Sequence, residues 1–367
     1  MHFGPTSAQE ALRGRVRSLF EELSPSTEVR RLMETDAGFD RPAWRRLAAA
    51  EGGLQGIHLP AAVGGGGQGW AELGVVLEEA GRVLFGAPLL STALAAAVLL
   101  ASFDDEAVAE TLASVAAGGT VATLAVAEAP GRWDASGVAA RAVRSPDGRW
   151  RLEGEKSYVV DGGTADVVVV AARHDTGVGL FLVEGGAPGL SRSPLATVDM
   201  TRKQATLTLA AVPARLVRGP LPWALQLAAV GLAAEQVGGA AACLDRAVAY
   251  AKRRVQFGRP IGSFQAVKHL CAEMLLDLES ARSAASYAAS VADRVDGDEL
   301  AAAAAVAKSC CSDAYVRIAA DSLHVHGGVG FTWDDDAHLY FRRARSSALL
   351  FGDANHHREL LAHALGV

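Results

Sequence analysis

The chain has no run of lysines and arginines and no acidic tail. Their absence excludes a basic arm for nucleic acid and a solvating acidic segment. Both signs of charge are spread along its 367 residues, for a net −6. The opening stretch MHFGPTSAQEALRGRV has no apolar signal core behind a basic start. Long hydrophobic runs are also missing. The longest, APLLSTALAAAVLLASF, is Ala-rich and interrupted by Pro88. Roughly 20 strongly apolar residues are needed to cross a bilayer, so this stretch reads as a buried helix and no membrane association is expected. There are only four cysteines, Cys243, Cys271, Cys310 and Cys311, and none has metal-ligand spacing. Adjacent Cys310 and Cys311 point to different faces of a helix. Reduced core thiols in a cytoplasmic protein, with no metal, are the expectation.

Half of the residues are hydrophobic, enough for a large core and about two or three domains. Residues 1–119 read as helices joined by turns. In AQEALRGRVRSLFEEL, Leu12, Val16, Leu19, Phe20 and Leu23 recur at three- and four-residue intervals, which defines one helix face. The run LPAAVGGGGQGW lacks the Gly-Lys-Ser/Thr ending and the preceding strand of a phosphate loop. It reads instead as a flexible connection or a plain surface loop. Over 120–219 the period switches to two, in short β-branched runs such as ADVVVVAAR, VGLFLVE and QATLTLAAV. These predict a small barrel or sandwich. Residues 220–367 return to helix. Three long helices and a shorter last one predict a four-helix bundle whose wide apolar faces suggest a partner as well. The fold class is α+β: helical domain, β domain, helical bundle.

Two segments carry a resemblance. YAKRRVQFGRPIGSFQAVKH and HVHGGVGFTWDDDAHLYFRRAR are similar to the two signatures of the acyl-CoA dehydrogenase family, and the order of segments is similar over the whole chain. The resemblance implies an FAD-dependent oxidation of acyl-CoA thioesters, with electrons passed to an electron-transferring flavoprotein. Such chemistry needs a base for the α proton, a flavin for the β hydride and hydrogen bonds to the thioester carbonyl. The family base is a glutamate, either in the last loop or on the helix that opens the bundle. The first position falls here on Phe351 and the second on Ala228 or its neighbour Ala229. Neither side chain accepts a proton. In the β segment, AEAPGRWD puts Ala127 and Trp133 where flavin-binding hydroxyls are usual. In SYVVDGG, Tyr158 keeps an aromatic surface but Val160 replaces a threonine.

The resemblance implies a kept half as well. Each family FAD crosses a subunit interface, and the residues lent to the neighbour's cofactor are present as Arg254, Gln256, Phe257, Gln265, His324, Gly327 and Gly328. Arginine pairs with pyrophosphate, and glycines admit backbone close to it. This combination resembles the degenerate partner chains of actinobacterial α2β2 members, several of which act on steroid side-chain thioesters. The ending FGDANHHR looks like theirs. The implied role is a non-catalytic subunit that completes the FAD site of a catalytic mate. The alternatives are a self-sufficient dehydrogenase using Glu235 or Asp353, a flavin monooxygenase of the same fold using His356 or His357, and a non-enzymatic assembly subunit. More plainly read, Glu235 pairs with an arginine or lies at an interface and Asp353 caps the last helix. His356 and His357 are surface or interface residues, His326 packs, Glu128 is structural, and WDDDAH starts a helix.

Overall fold

The computed structural model describes residues 6–50, 53–145, 148–294 and 297–367. Helices come first: α1 (Ser7–Leu23), α2 (Ser26–Met33), α3 (Arg41–Ala49), α4 (Trp70–Arg82), α5 (Leu89–Leu100) and α6 (Glu106–Ala116). Seven strands follow: β1 (Ala122–Ala125), β2 (Arg141–Arg144), β3 (Trp150–Val160), β4 (Val167–His174), β5 (Gly177–Glu184), β6 (Leu190–Pro194) and β7 (Gln204–Val217). The remainder is α7 (Leu221–Arg253), the short pair β8 (Val255–Gln256) and β9 (Arg259–Pro260), α8 (Gln265–Ala292), α9 (Asp298–His326), α10 (Ala337–Leu349) and α11 (Ala354–Ala364). The expected order of helical, β and helical segments is therefore observed. The chain forms two compact units.

One unit holds residues up to Arg30, Gly74–Phe85 and Ala229–Val367. Its first helix starts at a capping box between Thr6 and Gln9, and buries Leu12, Val16, Phe20 and Leu23 as the spacing predicts. Within this unit α4 and α7 approach backbone to backbone. A side chain at Gly81 would run into Glu235 O, and one at Gly238 into Glu78 O. Helix α7 is apolar and long enough to cross a bilayer by composition, but its most apolar window is wholly buried in the protein. The three long helices are α7, α8 and α9. The expected single short helix is two, α10 and α11. The break lies where Phe351 and Gly352 take left-handed φ values of 59° and 99°. Asp353 then caps α11 by accepting from His356 N at 2.8 Å. Asp335 and Asp336 open α10 as expected. Asp335 Oδ1 accepts from Ala337 N, and the two carboxylates pair with Arg246 and Arg30.

The other unit holds Arg31–Leu73 and Gly86–Ala228. Its strands close a barrel. β4 pairs with β1 and β2 on one side and β5 on the other; β2 pairs with β3, β3 with β7, and β7 with both β5 and β6. β4 is buried on both faces over Val167–Ala172, so it reads as a continuous apolar run. Helix α5 is buried from Leu89 to Leu99, as its composition predicts. The Gly64–Gly67 run is tied down rather than loose. Gly66 N and Gly67 N donate to Gly56 O and Leu59 O at 3.1 and 2.9 Å. A side chain at Gly65 would overlap Leu59, so glycine serves close packing here.

Candidate functional site

Helices α7 and α9 end beside a cleft of about 760 Å³. α7 gives way to a two-residue hairpin, β8–β9, with Phe257 and Gly258 at its tip. Both tip residues have positive φ, 52° and 76°, as such a tight turn requires. Ile261 N donates to Arg254 O at 2.8 Å and anchors the hairpin base. α9 stops at Gly327, whose φ of 63° and ψ of −143° suit only glycine. The two helix ends are joined by a ring contact between buried His326 and half-buried Tyr250. The His326 ring lies 4.5 Å from that of Tyr250, and His326 Nδ1 donates to Ser322 O at 2.7 Å. His326 therefore packs, as expected.

Arg254, Gln256, Gly327 and Gly328 all line this cleft, with Tyr250, Ile261 and His326 beside them. The Arg254 guanidinium has no hydrogen-bond partner among the described residues. A Cβ on Gly327 or Gly328 would meet nothing within 4 Å. An unpaired guanidinium and two bare stretches of backbone fit a bound pyrophosphate. Three other expected residues do not line it. Phe257 stands 91% exposed at the hairpin tip. Gln265, exposed at the start of α8, has its Nε2 3.1 Å from His269 Nε2. His324 is exposed, with its Nδ1 3.7 Å from Asp321. Tyr250 was not picked out from the sequence, although it opens the same signature.

A second constellation surrounds the turn Leu350–Gly352. Lys308, on α9, is fully buried. Its Nζ lies 2.9 Å from Gly352 O, 3.2 Å from Ala348 O and 2.9 Å from Ser312 Oγ. Gln236 on α7 bonds the same hydroxyl at 3.1 Å. His357 is buried, contrary to the surface position expected for it. Its Nε2 donates to Phe351 O at 3.0 Å, because the ring sits one turn into α11 facing back onto the turn. His356 is half-buried. Burial pushes the Lys308 amine down to about 7, and burial followed by the Lys308 charge pushes His357 down to about 4. Phe351 itself is buried. Glu235 is held by Arg343 at 3.0 Å, both nearly buried, so the expected arginine partner is found. Ala228 and Ala229 are fully buried.

In the barrel unit Ala127, Trp133 and Val160 are buried, while Tyr158, at φ 58°, is half-exposed and donates to Ala129 O at 3.2 Å. Glu128 is structural. Its Oε1 accepts from Ala139 N, Ala140 N and the fully buried Lys156 Nζ at 2.8–2.9 Å. Burial opposes its ionisation, but these donors outweigh burial and hold the carboxyl below its usual range.

Family models of the acyl-CoA dehydrogenase N-terminal, middle and C-terminal domains match residues 6–140, 123–212 and 221–366. The chain belongs to the acyl-CoA dehydrogenase family. It is 35% identical over 346 residues to acyl-CoA dehydrogenase IpdE2 of Mycobacterium tuberculosis, covering 94% of this chain and 93% of that one. Two solved structures share its fold over nearly its whole length. One is a variant of the Tcur3481-Tcur3483 steroid ACAD, with TM-score 0.90, 34% identity and 98% of each chain covered. The other is the ChsE4-ChsE5 complex from Mycobacterium tuberculosis, with TM-score 0.91, 29% identity and 100% and 99% covered. Membership gives the chain the architecture of an oxidoreductase acting on CH–CH bonds. Within that architecture this acyl-CoA dehydrogenase chain has Phe351, Ala228 and Ala229 at the places where the resemblance looks for a base.

Proposed function

We propose that the chain is the non-catalytic subunit of a flavin-dependent acyl-CoA dehydrogenase, working with a catalytic chain as α2β2. The observation that carries this reading is Phe351, a buried phenyl ring at the family's base position. The two carboxylates that stand nearby in sequence are engaged elsewhere. Glu235 is ion-paired to Arg343, and Asp353 caps α11. Proton abstraction then falls to the partner, and the acyl-CoA substrate is met through the complex. The Tcur3481-Tcur3483 structure, named as a steroid ACAD, supports a steroid thioester as that substrate. Free cysteines fit a cytoplasmic location.

FAD is the expected cofactor, and this chain's share of it is the cleft. Arg254 would hold the pyrophosphate through charge-assisted bonds, Gln256 would offer its amide, and Gly327–Gly328 would let backbone N–H groups close in. When bound, FAD would supply an acceptor for the hydride of the acyl β carbon, with an electron-transferring flavoprotein as the expected electron acceptor. The barrel unit of this chain supports the same division of labour. Its ring-facing positions are apolar at Ala127 and Val160 and filled by Trp133, so a ring placed there would lose several hydrogen bonds at about 1 kcal/mol each.

Purification of the chain alone, and together with the chain encoded next to it, tests the proposal. The expected result is no turnover alone, turnover together, and about one FAD per heterodimer, following from one intact ring site per pair. Arg254→Ala should lower flavin retention of the complex. Full flavin loading with acyl-CoA turnover by the lone chain would overturn the reading.

A further inference from the structure

The turn Leu350–Gly352 is held at its carbonyls by two buried bases. Lys308 takes Ala348 O and Gly352 O, and His357 takes Phe351 O. Phe351 needs such a hold. A bulky residue at φ 59° persists only where its surroundings over-determine it. Every hydrogen-bond partner of Lys308 Nζ is uncharged: two carbonyls and one hydroxyl. A neutral amine satisfies this set completely. It donates to both carbonyls and accepts the Ser312 proton, while Gln236 Nε2 donates to Ser312 Oγ at 3.1 Å. With the amine charged, its third proton goes to Ser312 Oγ, and that hydroxyl turns to Gln236 Oε1 at 3.3 Å. The bonds survive, but an ion then sits in a buried site with no carboxylate hydrogen-bonded to it among the described residues. The charged and titratable groups that act on it or feel it are Asp313 and Cys311 on α9, Asp353 in the turn, and His357 on α11. Both anions have other work: Asp353 caps α11, and Asp313 pairs with Arg358. From α7 Gln236, which carries no charge, reaches the amine only through Ser312 Oγ.

We propose that this turn is an acid-released latch, closed while the Lys308 amine is neutral and opened, with water admitted to that amine, when it takes up a proton. The sign follows from linkage. Burial lowers the amine from its ordinary 10.5 to about 7 in the closed turn. Closure is therefore favoured progressively as pH rises from 7 toward 10.5, and that advantage is lost as pH falls through 7. His357 acts in the same direction further down. Its Nδ1 is buried with no partner among the described residues, so a second proton there has nothing to bond. The latch stands whether or not the chain works with a mate.

Hydrogen exchange of the full chain tests it, read on peptides spanning the turn and the start of α11 and referenced to a peptide from α1. After correction for intrinsic exchange, turn protection should rise up to about tenfold per pH unit between about 7.5 and 9, since opening takes up one proton. Lys308→Met should abolish the slope, whatever absolute protection is left once Ala348 O and Gly352 O lose their donor. A flat profile in the wild type, or the same slope in the Met variant, would overturn the latch. If that variant does not fold, a ¹⁵N titration of Lys308 Nζ in the wild type decides. A midpoint near 7 supports the latch, and one above about 9 rules it out.

Discussion

The cleft at the ends of α7 and α9 and the turn before α11 belong to one bundle yet treat polar groups in opposite ways. In the cleft Arg254 has no partner among the described residues, and the backbone at Gly327 and Gly328 is bare. Around the turn, the carbonyls of Ala348, Phe351 and Gly352 are all occupied and Lys308 is fully satisfied. Unpaired donors beside open space are what a ligand needs, whereas paired groups in a buried interior hold the chain in place. The difference separates residues left open to a ligand from residues that hold the fold, and substitutions on the two sides should part in what they disturb.

The largest effect belongs to the interior. Glu235→Ala leaves Arg343 buried without its carboxylate and should cost about 3–5 kcal/mol, seen as a lower denaturant midpoint. Next is acid. The folded His357 titrates at about 4, below its ordinary 6.5. The stability it contributes is complete above 6.5 and lost as pH falls through 4, up to about 3 kcal/mol. Replacing it with Asn should flatten that part of a stability–pH profile. Third, Gly352→Ala forces a left-handed alanine whose methyl meets the His356 ring, for about 1–3 kcal/mol by thermal melting. Smallest in stability are the cleft variants. Gly328→Val and Arg254→Ala should each shift folding by less than about 0.5 kcal/mol while lowering flavin retention in the complex. A cleft variant that unfolds the protein, or an interior variant that only loosens flavin, would dissolve the contrast.

The binding side was far more legible than the holding side. Arg254 and Gln256 sit in one contiguous signature and Gly327 and Gly328 in another, and the family resemblance names all four for one cofactor. The alternation in the β segment and the spacing in α1 show burial directly. Lys308 gave no comparable signal. Its acceptors are backbone carbonyls some forty positions further on, and a carbonyl has no residue-type signature. A lysine in AVAKSCC therefore reads as a surface charge. His357 was misjudged for the same reason: its partner is Phe351 O, not a side chain. Glu235 fared better, since a carboxylate in an apolar helix face demands a cation, although only the fold identifies Arg343. Strand β6 and the β8–β9 hairpin were too short for periodicity to reveal. The split into α10 and α11 depends on a phenylalanine in a conformation that phenylalanine rarely adopts.

The barrel's free borders are few and guarded. β1 offers its outer side to α5, where Thr92 Oγ1 both accepts from Ala122 N and donates to Ala122 O at 3.2 Å. β6 ends at Pro194 and carries Arg192, whose guanidinium is spent on the carbonyls of Gly163, Ala165 and Gly185. At β1 the covering helix occupies main chain that a foreign strand would otherwise use as a template, and at β6 a proline shortens it. At those two borders, contact with another polypeptide would rest on complementary side chains, which select among neighbours, more than on generic backbone pairing, which would accept almost any.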